Sequence, residues 1–141
     1  MIIEIMSRLK AIEFSNISHE EKFAVISISD PDKEGPNLLN NINNGIIYRH
    51  QEYFFDVDIN QPGCITDEQA KNIAIFANEI SRKVPNLIVH CEAGMSRSAG
   101  VAAAIMKYIN GNDWDVFDNP KYRPNMTCYR SVLNALYEAD G

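Results

Sequence analysis

Leu87-Ile-Val-His90-Cys91-Glu-Ala-Gly94-Met-Ser-Arg97-Ser98-Ala-Gly100 is the stretch on which the reading of this 141-residue chain turns. Its opening apolar, partly β-branched residues predict a strand that ends at Cys91. The alanine-rich run from Ala99 predicts a helix beginning near Ser98. Between strand and helix lie five small or polar residues, so a thiol, a turn of backbone amides, an arginine and a helix N-terminus fall within seven positions. That arrangement describes an oxyanion-binding loop with a nucleophile at its centre, and the oxyanion it suits is phosphate.

Each residue type has a physical reason to be there. A cysteine attacks as thiolate, and its pKa falls beside a cation or a helix N-terminus; Arg97 and the coming helix supply both. Successive loop amides make an anion-binding nest, and the helix dipole adds partial positive charge. The predicted phosphate-binding set is therefore Glu92, Ala93, Gly94, Met95, Ser96 and Arg97. Arg97 presents a planar fork that matches two phosphate oxygens at once. Gly94 meets the need for a tight curl or a close backbone approach. Ser98 is placed to donate a hydrogen bond to the sulfur, and His90 to set loop geometry through its ring.

The constellation resembles the Cys-x5-Arg-(Ser/Thr) signature of cysteine-dependent protein phosphatases. Its longer form, His-Cys-x-x-Gly-x-x-Arg-Ser, resembles the branch holding dual-specificity and small single-domain bacterial or viral members. The resemblance reaches from roughly Phe23 to Leu136, though away from the loop it is one of element order. It implies hydrolysis of phosphotyrosine, with phosphoserine and phosphothreonine as further substrates, through a phosphocysteine intermediate. It also implies one carboxyl group that protonates the leaving oxygen and then activates water. In the family that acid lies on a loop after a strand, some thirty residues before the cysteine. Here the region reads Tyr53-Phe-Phe-Asp56-Val-Asp58-Ile-Asn60, and Asp58, at the exit of a predicted Tyr53–Val57 strand, is the candidate. Asp56 is its competitor; Asp67 is a third, already accounted for as a helix-capping acid. The Trp-Pro-Asp triplet of larger relatives is missing. Pro124-Asn125 resembles a pair that buttresses neighbouring loops in dual-specificity relatives, and Asn125 equally suits a helix cap.

Outward from the loop, element types alternate. Ile2–Met6 and Phe23–Ser29 read as strands, the second closed by a turn at Asp30-Pro31. Residues 31–45 read as a polar loop around Leu38-Leu39, and Ile46–Arg49 as another strand. Thr66-Asp-Glu-Gln69 is a capping box that opens a helix to about Arg82, with Ile73, Ala77, Ile80 and Val84 on one face. The helix after the loop stops at Asn110-Gly111. A last helix occupies about Thr127–Glu138, its apolar face Tyr129, Val132, Leu133 and Leu136. The expected fold is α/β: a central, mostly parallel sheet flanked by helices, with Cys91 beyond the carboxyl end of a strand.

The remaining features fit one domain over residues 1–141, with no repeat or linker. Net charge is −6, which argues against nucleic acid or an anionic membrane as partner. Three cysteines without paired spacing suit a reducing compartment, and the N-terminus lacks the marks of a secretory signal, so the expected location is cytoplasmic. Cys64 reads as an inert buried thiol, or else a partner for Cys91 on oxidation; Cys128 reads as core. Trp114 reads as a packing anchor. His19 and His50 lack metal-ligand spacing, and neither metal nor cofactor is expected. The absence of lysine from the loop, with Glu92 at its mouth, disfavours inositol phosphates, and the acidic balance disfavours RNA 5′-phosphates. Outside phosphatase chemistry stand a phosphopeptide-binding module without turnover and a sulfurtransferase or arsenate reductase. The latter carries its loop near the N-terminus, unlike this chain.

Overall fold

The computed structural model describes residues 1–39 and 44–140. Its strands are β1 (Ile2–Ser7), β2 (Phe23–Ser29), β3 (Ile46–Tyr53) and β4 (Asn86–Cys91). Its helices are α1 (Arg8–Ser15), α2 (Asp67–Ser81), α3 (Arg97–Asn110), α4 (Trp114–Phe117) and α5 (Met126–Asp140). All four strands run parallel in the order β1-β4-β2-β3, which gives the expected α/β sheet flanked by helices. The expected polar loop is described except at 40–43, which lie outside the described residues.

Every residue of β2 and β4 is buried, as central strands covered on both faces require. Side chains alternate across the sheet. Ala24, Ile26, Ile28, Leu87, Val89 and Cys91 join the larger core under α2, α3 and α5. Val25 and Ile88 join Met6, Ala11, Phe23, Leu38 and Ile46 in a smaller core that α1 helps to cover. The α2 capping box forms as expected, with Gln69 N donating to Thr66 Oγ1 at 3.1 Å and Thr66 N to Gln69 Oε1 at 3.0 Å. Ile73, Ala77, Ile80 and Val84 are all buried. No helix among the described residues is long and apolar enough to cross a membrane.

Three expectations need correction. The two strands expected at 46–49 and 53–57 are one, Ile46–Tyr53. The polar run Arg49-His-Gln-Glu52 does not interrupt it because this edge strand pairs its polar side chains sideways. Arg49 Nε donates to Ser27 Oγ at 3.2 Å, Gln51 Nε2 to Ser29 Oγ at 3.1 Å, and His50 lies 2.6 Å from Glu52. After Tyr53 the chain leaves the sheet, with Phe54 N bonded to Ser29 O and Phe55 N to Gly63 O. Trp114 is no packing anchor: it is 66 % exposed, and Val116 fills the core from α4 instead. Cys64 is only half-buried. Helix α1 was not anticipated; Ser7 caps it, its Oγ accepting Lys10 N at 3.2 Å.

Candidate active site

Strand β4 delivers Cys91 to its carboxyl end, where the side chain is 3 % exposed at the base of a cavity of about 320 Å³. Asp56, Glu92, Ala93, Met95, Ser96, Arg97 and Arg123 complete the lining. The curl of the loop centres on Gly94, whose φ is +70°. A Cβ there would stand 2.6 Å from Ser7 N and 2.7 Å from the Met6 carbonyl carbon, so both conformation and space demand glycine. The far end of the loop passes into α3 at Ser96, whose hydroxyl makes no cap bond. The amides at that helix end are thus left without a side-chain cap, the condition that favours an anion.

Two loop expectations about contacts agree with the geometry. Cys91 Sγ lies 3.1 Å from Ser98 Oγ. His90 is fully buried and sets its ring by Nε2, 2.7 Å from Ser27 Oγ. Burial pulls His90 down to about 4, so its imidazole is neutral near pH 7.

Arg97 is 5 % exposed and anchored by one nitrogen, Nη1, which donates to Asp30 Oδ1 and to the Phe54 carbonyl, both at 2.7 Å. Its Nε is buried and has no hydrogen-bond partner among the described residues. The guanidinium is therefore held rigidly along one side while a donor on another remains unmet. Asp30, read from sequence only as a turn, is the residue that sequence reasoning missed; a carboxylate ending the neighbouring parallel strand was the available signal. Lys33 spans Asp30 at 3.8 Å and Glu92 at 3.9 Å. Arg123 reaches the cavity because its N–H bonds the Met95 carbonyl at 2.9 Å. The mouth thus holds two cations that the loop's own sequence does not show.

The candidate acids separate clearly. Asp56 lines the cavity, and its Oδ1 accepts Ser96 Oγ at 2.7 Å and Asn125 Nδ2 at 2.9 Å. Asp58 is exposed and outside the lining, because the strand expected to carry it ends five residues earlier. Asp67 borders a different hollow, between α2 and α5 beside Lys71 and Arg130. Asn125 makes contacts in two directions. Its Nδ2 holds Asp56 and the Val57 carbonyl, while its Oδ1 caps α5 by accepting Cys128 N at 3.0 Å. Close crossing of α3 and α5 makes this possible: a Cβ on Gly100 would stand 2.4 Å from Asn125 O. Cys128 is fully buried behind the site, and burial pushes its thiol far up.

No protein-family model matches the chain, and no curated protein matches its sequence. Solved structures do match its fold. Human DUSP28 superposes with a TM-score of 0.67 at 15 % identity, over 98 % of this chain and 93 % of that one. The human tyrosine phosphatase-like serine/threonine/tyrosine-interacting protein gives 0.63 at 17 %, over 98 % and 91 %. PTPMT1, solved in complex with PI(5)P, gives 0.59 at 14 %, over 99 % and 92 %. The chain is thus similar in fold to dual-specificity and tyrosine phosphatase-like structures.

Proposed function

We propose that this chain is a cysteine-dependent phosphoric monoester hydrolase acting on phosphorylated protein or peptide, with phosphotyrosine its principal substrate. The observation that carries this reading is the convergence of Cys91, the anchored Arg97 and Asp56 on one cavity. In the proposed cycle the amides of residues 92–97 and the unmet side of Arg97 bind the phosphoryl oxygens. Cys91 attacks phosphorus in line with the ester bond. Asp56 gives its proton to the leaving oxygen and later takes one from the water that hydrolyses the phosphocysteine. Both donors to Asp56 converge on Oδ1, which leaves Oδ2 to carry that proton. Ser98 supports the sulfur as leaving group. So written, the reaction draws its positive charge from Arg97 and backbone dipoles.

A second substrate reading is favoured by one observation. Arg123 and Lys33 put cationic charge at the mouth, which suits a polyanionic ester such as an inositol phosphate. Lys33 is already shared between two carboxylates, so the peptide reading keeps precedence.

Burst release of nitrophenol from its phosphate ester tests the reading. The wild-type chain is expected to show a burst and steady turnover. Cys91→Ser should lose turnover by at least about a thousandfold while still binding orthovanadate, because the loop and Arg97 make most of the anion's contacts. Hydrolysis surviving in Cys91→Ser overturns the cysteine mechanism. Binding without turnover in the wild type assigns the chain to phosphopeptide capture. A panel of phosphotyrosine peptide, phosphoserine peptide and inositol phosphate ranks the substrates.

A further inference from the structure

Behind Cys91, on the α1 side of the sheet, three strands bring a guanidinium, a hydroxyl and an imidazole into one line that the reaction above does not use. His90 on β4 is fully buried, its Nε2 2.7 Å from Ser27 Oγ on β2. Ser27 is fully buried too and accepts Arg49 Nε from β3 at 3.2 Å. Arg49 also donates through Nη2 to the Pro36 carbonyl at 2.7 Å and to Gln51 Oε1 at 3.0 Å. Polar groups placed inside a sheet cost desolvation that apolar neighbours such as Val25 and Ile88 do not. Arg49 shows that cost, its pKa lowered chiefly by burial.

The chemistry of the donors fixes the direction of the protons. Arginine only donates, so Arg49 occupies a lone pair of Ser27. Were Ser27 also to accept from His90, its own proton and the Nδ1 lone pair would both be left buried and unmet. With Ser27 donating to Nε2, a single group is left, the Nδ1–H. Nδ1 is buried without a hydrogen-bond partner among the described residues, and the adjacent Cys91 backbone favours a proton on the ring. The better satisfied arrangement is the neutral Nδ1–H tautomer facing the Cys91 backbone.

We propose that Ser27, oriented by Arg49, is a positioning residue for Cys91: it fixes His90 as the Nδ1–H tautomer, and His90 fixes the backbone from which the loop departs. The kinetic consequence rests on the phosphatase reading; the consequence for the thiol does not. The other charged and titratable groups facing these residues include Arg8 from α1, acting on His90 and Arg49, Tyr53 at the end of β3, acting on Arg49, and Arg97, Asp56 and Cys128 near the sulfur. None of them is altered by substitution at Ser27.

The test is the pH dependence of iodoacetamide alkylation at Cys91, followed by mass spectrometry of its peptide in the full chain, alongside kcat and KM for an aryl phosphate. Ser27→Ala should move the alkylation midpoint upward by roughly half to one pH unit, the scale of one lost hydrogen bond. On the same scale kcat should fall about five- to tenfold with KM changed less than about twofold. Ser27→Thr, which keeps the hydroxyl, should restore both. Arg49→Met should give a smaller shift of the same sign, and it decides the matter if Ser27→Ala does not fold. Wild-type midpoints in the folded variants overturn the proposal. So does a Ser27→Ala effect that persists undiminished in a His90→Gln background, since it would then act through packing. If the midpoint moves but no phosphate ester is turned over, the positioning role stands and the phosphatase reading falls.

Discussion

The loop at Cys91–Arg97 and the segment that carries Asp56 meet in one cavity but are built in opposite ways. The loop is contiguous: strand, curl and helix follow one another within a short stretch, and its geometry is already written in residue order. The Asp56 segment has no regular structure of its own. It is held by Gly63 at its base, by Ser96 from the loop, and by Asn125 and Thr127 from the far end of the chain. The proposed nucleophile is specified locally, whereas the proposed acid opposite it is specified only by the tertiary fold.

The sharpest way to break this contrast is to exchange the acids. Asp56→Asn should slow hydrolysis of alkyl or peptide phosphates by roughly a hundred- to ten-thousandfold, the range of general acid–base catalysis. The loss should shrink as the leaving group becomes a weaker base. Asp58→Asn should stay near wild type, and rates across aryl phosphates of graded leaving-group pKa check the pair. A steepened dependence in Asp58→Asn alone would return the role to the residue favoured by spacing.

The root of the loop should respond to acid. His90 is lowered from 6.5 to about 4 by burial, so between those values the unfolded chain binds a proton that the folded chain refuses. Stability is therefore full above about pH 6.5, falls as pH drops, and levels off below about pH 4, a loss on the order of 3 kcal/mol. Denaturant midpoints from pH 7 to 4 should show this slope, and His90→Gln should flatten it.

The smallest expected effect probes the seam between the two regions. Asn125→Ala removes a cap from α5 and a donor from Asp56, and should cost about 1 kcal/mol in stability and roughly tenfold in kcat. Thermal melts and kinetics on one sample separate the two. An activity loss no larger than that of a cap removed elsewhere would show that Asp56 does not depend on Asn125.

The legibility of the sequence follows the same divide. β2, α2, β4, α3 and the face of α5 could be placed because each repeats one period and carries its own stop signals, such as the Thr66 box and Gly111. The Cys91–Ser98 contact was legible because both partners sit on one turn of chain. Asp56 was ranked behind Asp58 because alternation was extended past Tyr53, where the edge strand ends. Asp30, Lys33 and Arg123 could not be assigned to the site from order alone, since only the pairing of β2 with β4 and the Arg123–Met95 bond bring them there. Helix α1 was hidden by its mixed, weakly periodic residues, with Leu9 exposed.

Gly94 resting on Met6 and Ser7 has a consequence for the order of assembly. The curl of the loop is moulded against the junction of β1 and α1, so it cannot take its final form until β1 has docked on β4, a closure spanning most of the preceding chain. Contacts of such long sequence separation carry a large loop-closure entropy and form slowly. On the proposed reading, oxyanion affinity should emerge late in folding, and a bound anion should, by mass action, tighten the docking of the first strand.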